Sequence, residues 1–255
     1  MIVGIQLSSV KKYMQTVADV RASLRKFADA GYRYAQIQWT GASVSAQEMA
    51  SALKETGITA VSVQDYTHAV LGDTEYYLRL VDACEFQDIT ISGIPADELT
   101  PDGILRFAER IEPFHRRLIS EGRTLSFHPR WQELSDVDGV CALTRLLDAS
   151  DPALRVLPDV NHIIRNKLDA PSFIRSLAGR ADMIHCKDSV DDTRESSHLT
   201  VVGQGCVSWS PILSAAEEIG IRYAFTEQES WDGDAFECLI DGGKYLCGLS
   251  ENYHF

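Results

Sequence analysis

Two rhythms of apolar and polar positions alternate along the chain. Short runs rich in β-branched and aromatic residues are followed by longer stretches in which apolar residues recur every three or four positions. A period near 2 fits strands, and a period near 3.6 fits amphipathic helices. The strand-type runs fall at 3–9, 34–39, 58–66, 88–94, 124–131, 155–160, 182–188 and 222–229. Their starts lie roughly 25–40 residues apart, about the length of a strand with its crossover helix.

The intervening stretches carry helix signals. Val17, Val20, Leu24 and Phe27 form one apolar stripe, which Gly31 ends. Ser45 and Glu48 have the spacing of a capping box, Met49, Ala52 and Leu53 share a face, and Gly57 follows as the stop. Pro101 and Pro211 each follow a hydroxyl residue, Thr100 and Ser210, which predicts two helix starts with proline in the first turn. Ile212, Ala215, Ala216 and Ile219 line the second of these helices up to Gly220.

Eight βα units without a break in composition predict one (β/α)8 TIM barrel over residues 1–255. An open α/β sheet with fewer strands is the alternative. The chain's 255 residues are a normal length for a barrel, and 45% hydrophobic content is enough for a large core. A net charge of −13 disfavours nucleic acid and anionic membranes as partners. No apolar run approaches the roughly 20 residues that span a bilayer, and the N-terminal lysines follow the apolar stretch, the reverse of a signal peptide. The expectation is a cytoplasmic protein. The six cysteines include no CxxC pair, so reduced core residues are expected in place of a thiolate zinc site.

In a barrel of this kind chemistry sits at the C-terminal ends of the strands. The last four runs end in polar residues: His128, Arg130, Trp131 and Glu133; Asp159 and His162; His185, Lys187 and Asp188; Glu227 and Glu229. Asp159, His185 and Glu227 on successive strands suit a divalent ion of the hard or borderline kind, Mn²⁺, Co²⁺, Mg²⁺ or Zn²⁺. Cys186 is expected on the opposite strand face, in packing. In the first half, Gln6, Gln38, Asp65 and His68 lie near strand ends, where they can meet substrate hydroxyls. Trp39, Tyr66, Trp131 and Trp231 are candidate pocket walls, each with ordinary packing as the alternative. His115 is expected to be exposed on a helix, and His254 to lie outside the site.

Four motifs then occur in order: Asp159-Val160-Asn161-His162, His185-Cys186-Lys187-Asp188, Val202-Gly203-Gln204-Gly205 and Glu227-Gln228-Glu229. With these the chain resembles the xylose-isomerase-like TIM barrels, which include sugar phosphate isomerases/epimerases, inosose dehydratases and endonuclease IV. The resemblance implies that Asp159, His185 and Glu227 are metal ligands, that His162 binds substrate, and that Lys187 meets a substrate oxygen or a carboxylate. The family's fourth ligand is a Glu at the end of strand five. Here His128 stands in its place, with Glu133 as the competing candidate.

The implied activity is isomerisation or epimerisation of a ketose or keto-polyol through an enediolate, with one divalent metal, and the resemblance offers a homodimer as one assembly. Glu227 is one base; the second is Glu133, His128 or His162. A single firm base also fits a dehydratase or lyase acting on a keto-inositol or keto-sugar. A non-catalytic barrel that has lost a ligand is a further alternative, and the acidic charge argues against a DNA-repair endonuclease. Arg130 is a candidate for a substrate carboxylate or phosphate, with a surface ion pair as its alternative.

Overall fold

The computed structural model describes residues 1–191 and 198–255. Eight parallel strands form the barrel: β1 (Ile2–Gln6), β2 (Tyr34–Ile37), β3 (Thr59–Tyr66), β4 (Asp88–Ser92), β5 (Thr124–His128), β6 (Arg155–Val156), β7 (Met183–Cys186) and β8 (Tyr223–Thr226). Their order around the sheet is β6-β5-β4-β3-β2-β1-β8-β7. A parallel bridge between Asp159 and His185 joins the two ends, supported by the His185 N–H donating to the Pro158 carbonyl at 2.9 Å. The barrel thus nearly closes at the two residues with the strongest ligand character.

The surrounding helices are α1 (Val17–Asp29), α2 (Ala46–Thr56), α3 (Thr67–Gly72), α4 (Thr74–Cys84), α5 (Pro101–Ser120), α6 (Ala142–Ala149), α7 (Val160–Arg165), α8 (Ala170–Ser176), α9 (Trp209–Glu218) and α10 (Ala235–Gly248). Capping boxes open α1 (Thr16 with Asp19) and α2 (Ser45 with Glu48), and Thr100 caps α5 with Pro101 in its first turn. The start of α9 differs from the prediction. Ser208 is its cap residue and Pro211 its third residue, so Ser210 lies inside the helix. Proline is tolerated there because the amide N–H groups of a helix's first turn have no partner within the helix.

The main core lies between sheet and helices, with Leu24, Phe27, Phe107 and Trp209 fully buried. A separate small plug of Leu157, Met183 and Phe225 forms a second apolar cluster. Cys186 packs in the main core, and all six cysteines are free thiols. His115 is a correction: it is buried at 1% exposure on the inner side of α5. The ring faces the core because it shares the helical stripe of Ile104, Phe107, Ile111 and Leu118. The C-terminal residues run back along β1, where Val3 N–H donates to the His254 carbonyl at 2.7 Å. Among the described residues no helix is long and apolar enough to cross a membrane.

Candidate metal centre

His128 ends β5, Asp159 follows β6, and His185 lies on β7. One donor atom from each meets the others within 4.8 Å, and all three residues are buried. Glu227, just past β8, brings its Oε2 to 2.9 Å from His185 Nδ1. The last four strands therefore bring together four of the side chains singled out in the sequence.

Each of these side chains commits one polar atom to the protein and leaves another without a hydrogen-bond partner. The His185 Nε2–H donates to Gln36 Oε1 at 2.6 Å. His128 Nδ1 lies 3.1 Å from Ser92 Oγ, whose hydroxyl donates to the His128 carbonyl at 3.4 Å. Asp159 Oδ1 caps α7, accepting from the N–H groups of Asn161 at 2.8 Å and His162 at 3.3 Å. Glu227 Oε1 accepts from the Ser8 hydroxyl at 3.2 Å. The atoms turned inward without a hydrogen bond are His128 Nε2, Asp159 Oδ2, His185 Nδ1 and Glu227 Oε2, which meet one another and Lys187 as ion pairs.

Buried polar atoms without partners are rare and costly. A set of two imidazole nitrogens and carboxylate oxygens, each oriented from behind by a hydrogen bond, suits a divalent ion. His128, Asp159 and His185 fit a single such ion, and their buried convergence in a barrel is a site for metal-dependent enzyme chemistry on a small molecule.

Lys187 adds a fixed positive charge. Its Nζ lies 3.2 Å from Asp159 Oδ2, 3.3 Å from Glu227 Oε2 and 3.2 Å from Glu229 Oε2. Burial would drive its proton off, but the three carboxylates outweigh that and hold its pKa well above the usual lysine value. Burial likewise pushes the Asp159 and Glu227 carboxyls upward. Lys187 and the neighbouring imidazoles prevail, leaving Asp159 well below the usual range and Glu227 at about 2. Burial lowers the His128 pKa. It takes His162 to about 3 despite the attraction of Asp159, so the His162 ring is neutral. His162 Nε2 lies 3.8 Å from Asp159 Oδ2, and its Nδ1 is buried without a partner.

Glu133 and Arg130 are placed differently from the ligand set. Glu133 is fully buried, and its Oε1 accepts from Ile94 N–H and Arg130 Nη2, both at 2.8 Å. Its Oε2 accepts from Arg130 N–H, also at 2.8 Å. Both oxygens are thus tied to the loops after β4 and β5. Asp65 is similarly occupied, accepting from Trp39 Nε1 at 3.2 Å and the Tyr77 hydroxyl at 2.8 Å. His198 pairs with Asp232 at 3.3 Å on the surface. Trp131 lies beneath the Arg165 guanidinium, and Trp231 packs against the main core.

Gln36, like Ser8 and Ser92, is a participant that the sequence did not single out. It accepts from Gln6 Nε2 at 2.6 Å, and its own Nε2 donates to Ser62 Oγ at 3.1 Å. Gln36 lies inside the run 34–39, and its position two residues before Gln38 on the inward face was the available signal.

The Gly203-Gln204-Gly205 motif also gains a physical reason. The Asp188 carboxylate accepts from the N–H groups of Gly203 at 2.9 Å, Gly205 at 3.3 Å and Val207 at 3.3 Å, and from Trp209 Nε1 at 2.9 Å. A Cβ on Gly205 would stand 2.1 Å from Asp188 Oδ1, so a side chain is excluded there. The residue next to Lys187 thereby anchors the loop that leads into α9.

A sequence model described as xylose isomerase-like TIM barrel matches residues 24–235. A comparison with curated protein sequences gives no match. Among solved structures, a sugar phosphate isomerase/epimerase from Parabacteroides distasonis aligns at TM-score 0.80 and 18% identity, covering 96% of this chain and 93% of that one. An L-ribulose 3-epimerase aligns at TM-score 0.76 and 16% identity, over 97% and 93% of the two chains. A probable 3-DHS dehydratase from Bacillus anthracis aligns at TM-score 0.75 and 13% identity, over 96% and 98%. At these identities the likeness to the solved structures is one of fold.

Proposed function

The chain belongs to the xylose isomerase-like TIM barrel family, and from that premise we propose that it is a divalent-metal-dependent isomerase or epimerase of a ketose or keto-polyol. The observation that carries this reading is the buried convergence of one ligand atom each from His128, Asp159 and His185, with the Glu227 carboxylate against His185. The solved relatives named above as a sugar phosphate isomerase/epimerase and an L-ribulose 3-epimerase support it by fold.

A divalent ion held by these residues would polarise a carbonyl and make the neighbouring C–H bond acidic. The chain's own groups supply the rest. Glu227, ionised and oriented by Ser8, takes the proton from that carbon. Lys187, protonated and held among three carboxylates, faces the same space and binds a substrate oxygen. His162, neutral and with Nδ1 unpartnered, offers a hydrogen bond to a hydroxyl. Arg130 is assigned to substrate binding at the rim, and Glu133 to bracing Arg130 and the β4 and β5 loops.

A second reading, dehydration on the same site, is favoured by the placement of Glu133. With that carboxylate committed to two backbone N–H groups and a guanidinium, and Asp159 capping α7 as a ligand residue, Glu227 is the carboxylate of the site placed to act as base. Loss of one proton and one hydroxide needs a single base, with Lys187 able to protonate the departing oxygen. Incubating the metal-loaded protein with ketoses and keto-inositols in D₂O tests both. Deuterium on the α-carbon without water loss supports isomerisation, and deuterium with loss of water supports dehydration. Failure to exchange in any substrate, with Glu227→Gln behaving like wild type, contradicts proton abstraction.

A further inference from the structure

Beside the metal centre lies a cavity of about 630 Å³, formed by the C-terminal ends of β3, β4 and β5. Ser92 belongs to both places: it lines the cavity, and its Oγ meets His128 Nδ1 at 3.1 Å. Ser92, shared by the cavity wall and the hydrogen bonds that hold His128, places the cavity next to the ligand set. The volume is in the usual range for small-ligand pockets.

Its lining departs from the rest of the molecule. The chain carries a net charge of −13. Yet among the described residues the cavity is lined by Arg110, Arg130 and His68 and by no Asp or Glu. Leu71, Ile94 and Leu99 supply apolar walls, which lower the local dielectric and strengthen any charge interaction inside. Tyr66 and His68 stack with rings 5.7 Å apart and 11° from parallel, giving one flat side.

The carboxylates that balance the two arginines do not line the cavity. Arg110 is held by Glu98 through two bonds of 2.7 Å. Arg130 gives Nη2 to Glu133 and to the Ile94 carbonyl, both at 2.8 Å, while its Nε is buried with no acceptor. The guanidinium lies against Gly93, where a Cβ would come within 2.5 Å of Arg130 Cζ, so only glycine lets it into this position. The glycine, with φ +76°, and the Glu133 brace together hold the guanidinium in the cavity wall, where 30% of the side chain is exposed.

We propose that this cavity seats an anionic group, carboxylate or phosphate, carried by the substrate away from its reacting carbons. The proposal rests on the metal-dependent keto-polyol reading and narrows it to acidic substrates. Neutral polyols would leave the Arg130 donors unanswered in a partly dry site.

Calorimetric titration of the full chain, with and without Mn²⁺, using gluconate, sorbitol 6-phosphate and sorbitol tests this. One or both anions should bind about tenfold or more tightly than sorbitol, and more weakly as salt rises. The stronger of the two anions identifies carboxylate or phosphate ester as the group recognised. Ala96→Asp places a carboxylate on the exposed rim without touching the core, and should weaken anion binding by about tenfold. Arg110→Gln should weaken it by a smaller factor. Arg130 is left intact because its loss would strand the buried Glu133 carboxylate. His185→Ala should lose Mn²⁺ and keep the preference for anions, which separates this proposal from the metal reading. Equal affinity for sorbitol, no measurable binding of either anion, or indifference to Ala96→Asp overturns it.

Discussion

His185 and Gln36 face each other across the barrel interior, with Nε2 of the ring 2.6 Å from the amide oxygen. The amide is oriented by Gln6 on one side and Ser62 on the other, so its oxygen points at the ring. An amide oxygen only accepts, so Nε2 carries a proton toward Gln36, and Nδ1, 2.9 Å from Glu227 Oε2, is the ring nitrogen left for a metal.

Gln36→Leu should therefore weaken Mn²⁺ binding by about 10–100-fold, the usual cost of removing a group that orients a metal-ligating histidine. The thermal midpoint without metal should change far less than the affinity does. Calorimetric titration with Mn²⁺, paired with a melting curve in chelator, checks both.

Lys187 stands 3.2 Å from Asp159 Oδ2 and 3.3 Å from Glu227 Oε2, so its charge opposes a second cation on the same oxygens. Lys187→Met should bind Mn²⁺ about tenfold or more tightly than wild type while turning over more slowly. In chelator the same variant should be less stable by about 3 kcal/mol, because buried carboxylates lose their partner. Urea unfolding with and without Mn²⁺ reads the two effects separately.

The Asp188 anchor makes a prediction about the loop between β7 and α9. Gly205→Ala forces a Cβ against Asp188 Oδ1 and should lower stability by about 2 kcal/mol or more. Asp188→Ala strands the N–H groups of Gly203, Gly205 and Val207 and the Trp209 indole, and should cost about 3 kcal/mol or more. Urea midpoints measure both variants.

Asp88 is buried at the start of β4, accepting from the hydroxyls of Ser62, Thr90 and Ser126. Burial outweighs these bonds and raises its pKa from the ordinary value near 3.8 to about 6. A raised folded-state pKa means the stabilising proton is held below the unfolded value and lost as pH rises through the folded one. The stability of wild type relative to Asp88→Asn should fall by roughly 3 kcal/mol between about pH 4 and about pH 7. Urea unfolding across that range measures it.

Much of the barrel was legible because its signals are local. The capping-box spacing at Ser45 and the repeated shift in period are read without reference to the rest of the chain. The strand-end rule then pointed to His128, Asp159, His185 and Glu227, because a barrel sends those ends to one rim. What stayed hidden depends on contacts between distant residues. Gln36 looks like any strand glutamine until β2 is set opposite β7. Nothing in the spacing of Arg130 and Glu133 shows that the carboxylate turns back onto the Ile94 and Arg130 amides. His115 looked exposed because a polar residue in a helix usually is, and its place on the apolar stripe was the overlooked cue.

The most direct test of the metal centre is a crystal structure of the protein grown with Mn²⁺ and measured at the manganese absorption edge. The account predicts one anomalous peak per chain, bonded to His128 Nε2, Asp159 Oδ2 and His185 Nδ1, and lost in Asp159→Ala. Manganese bound elsewhere, or no peak at these three atoms at saturating Mn²⁺, would contradict it.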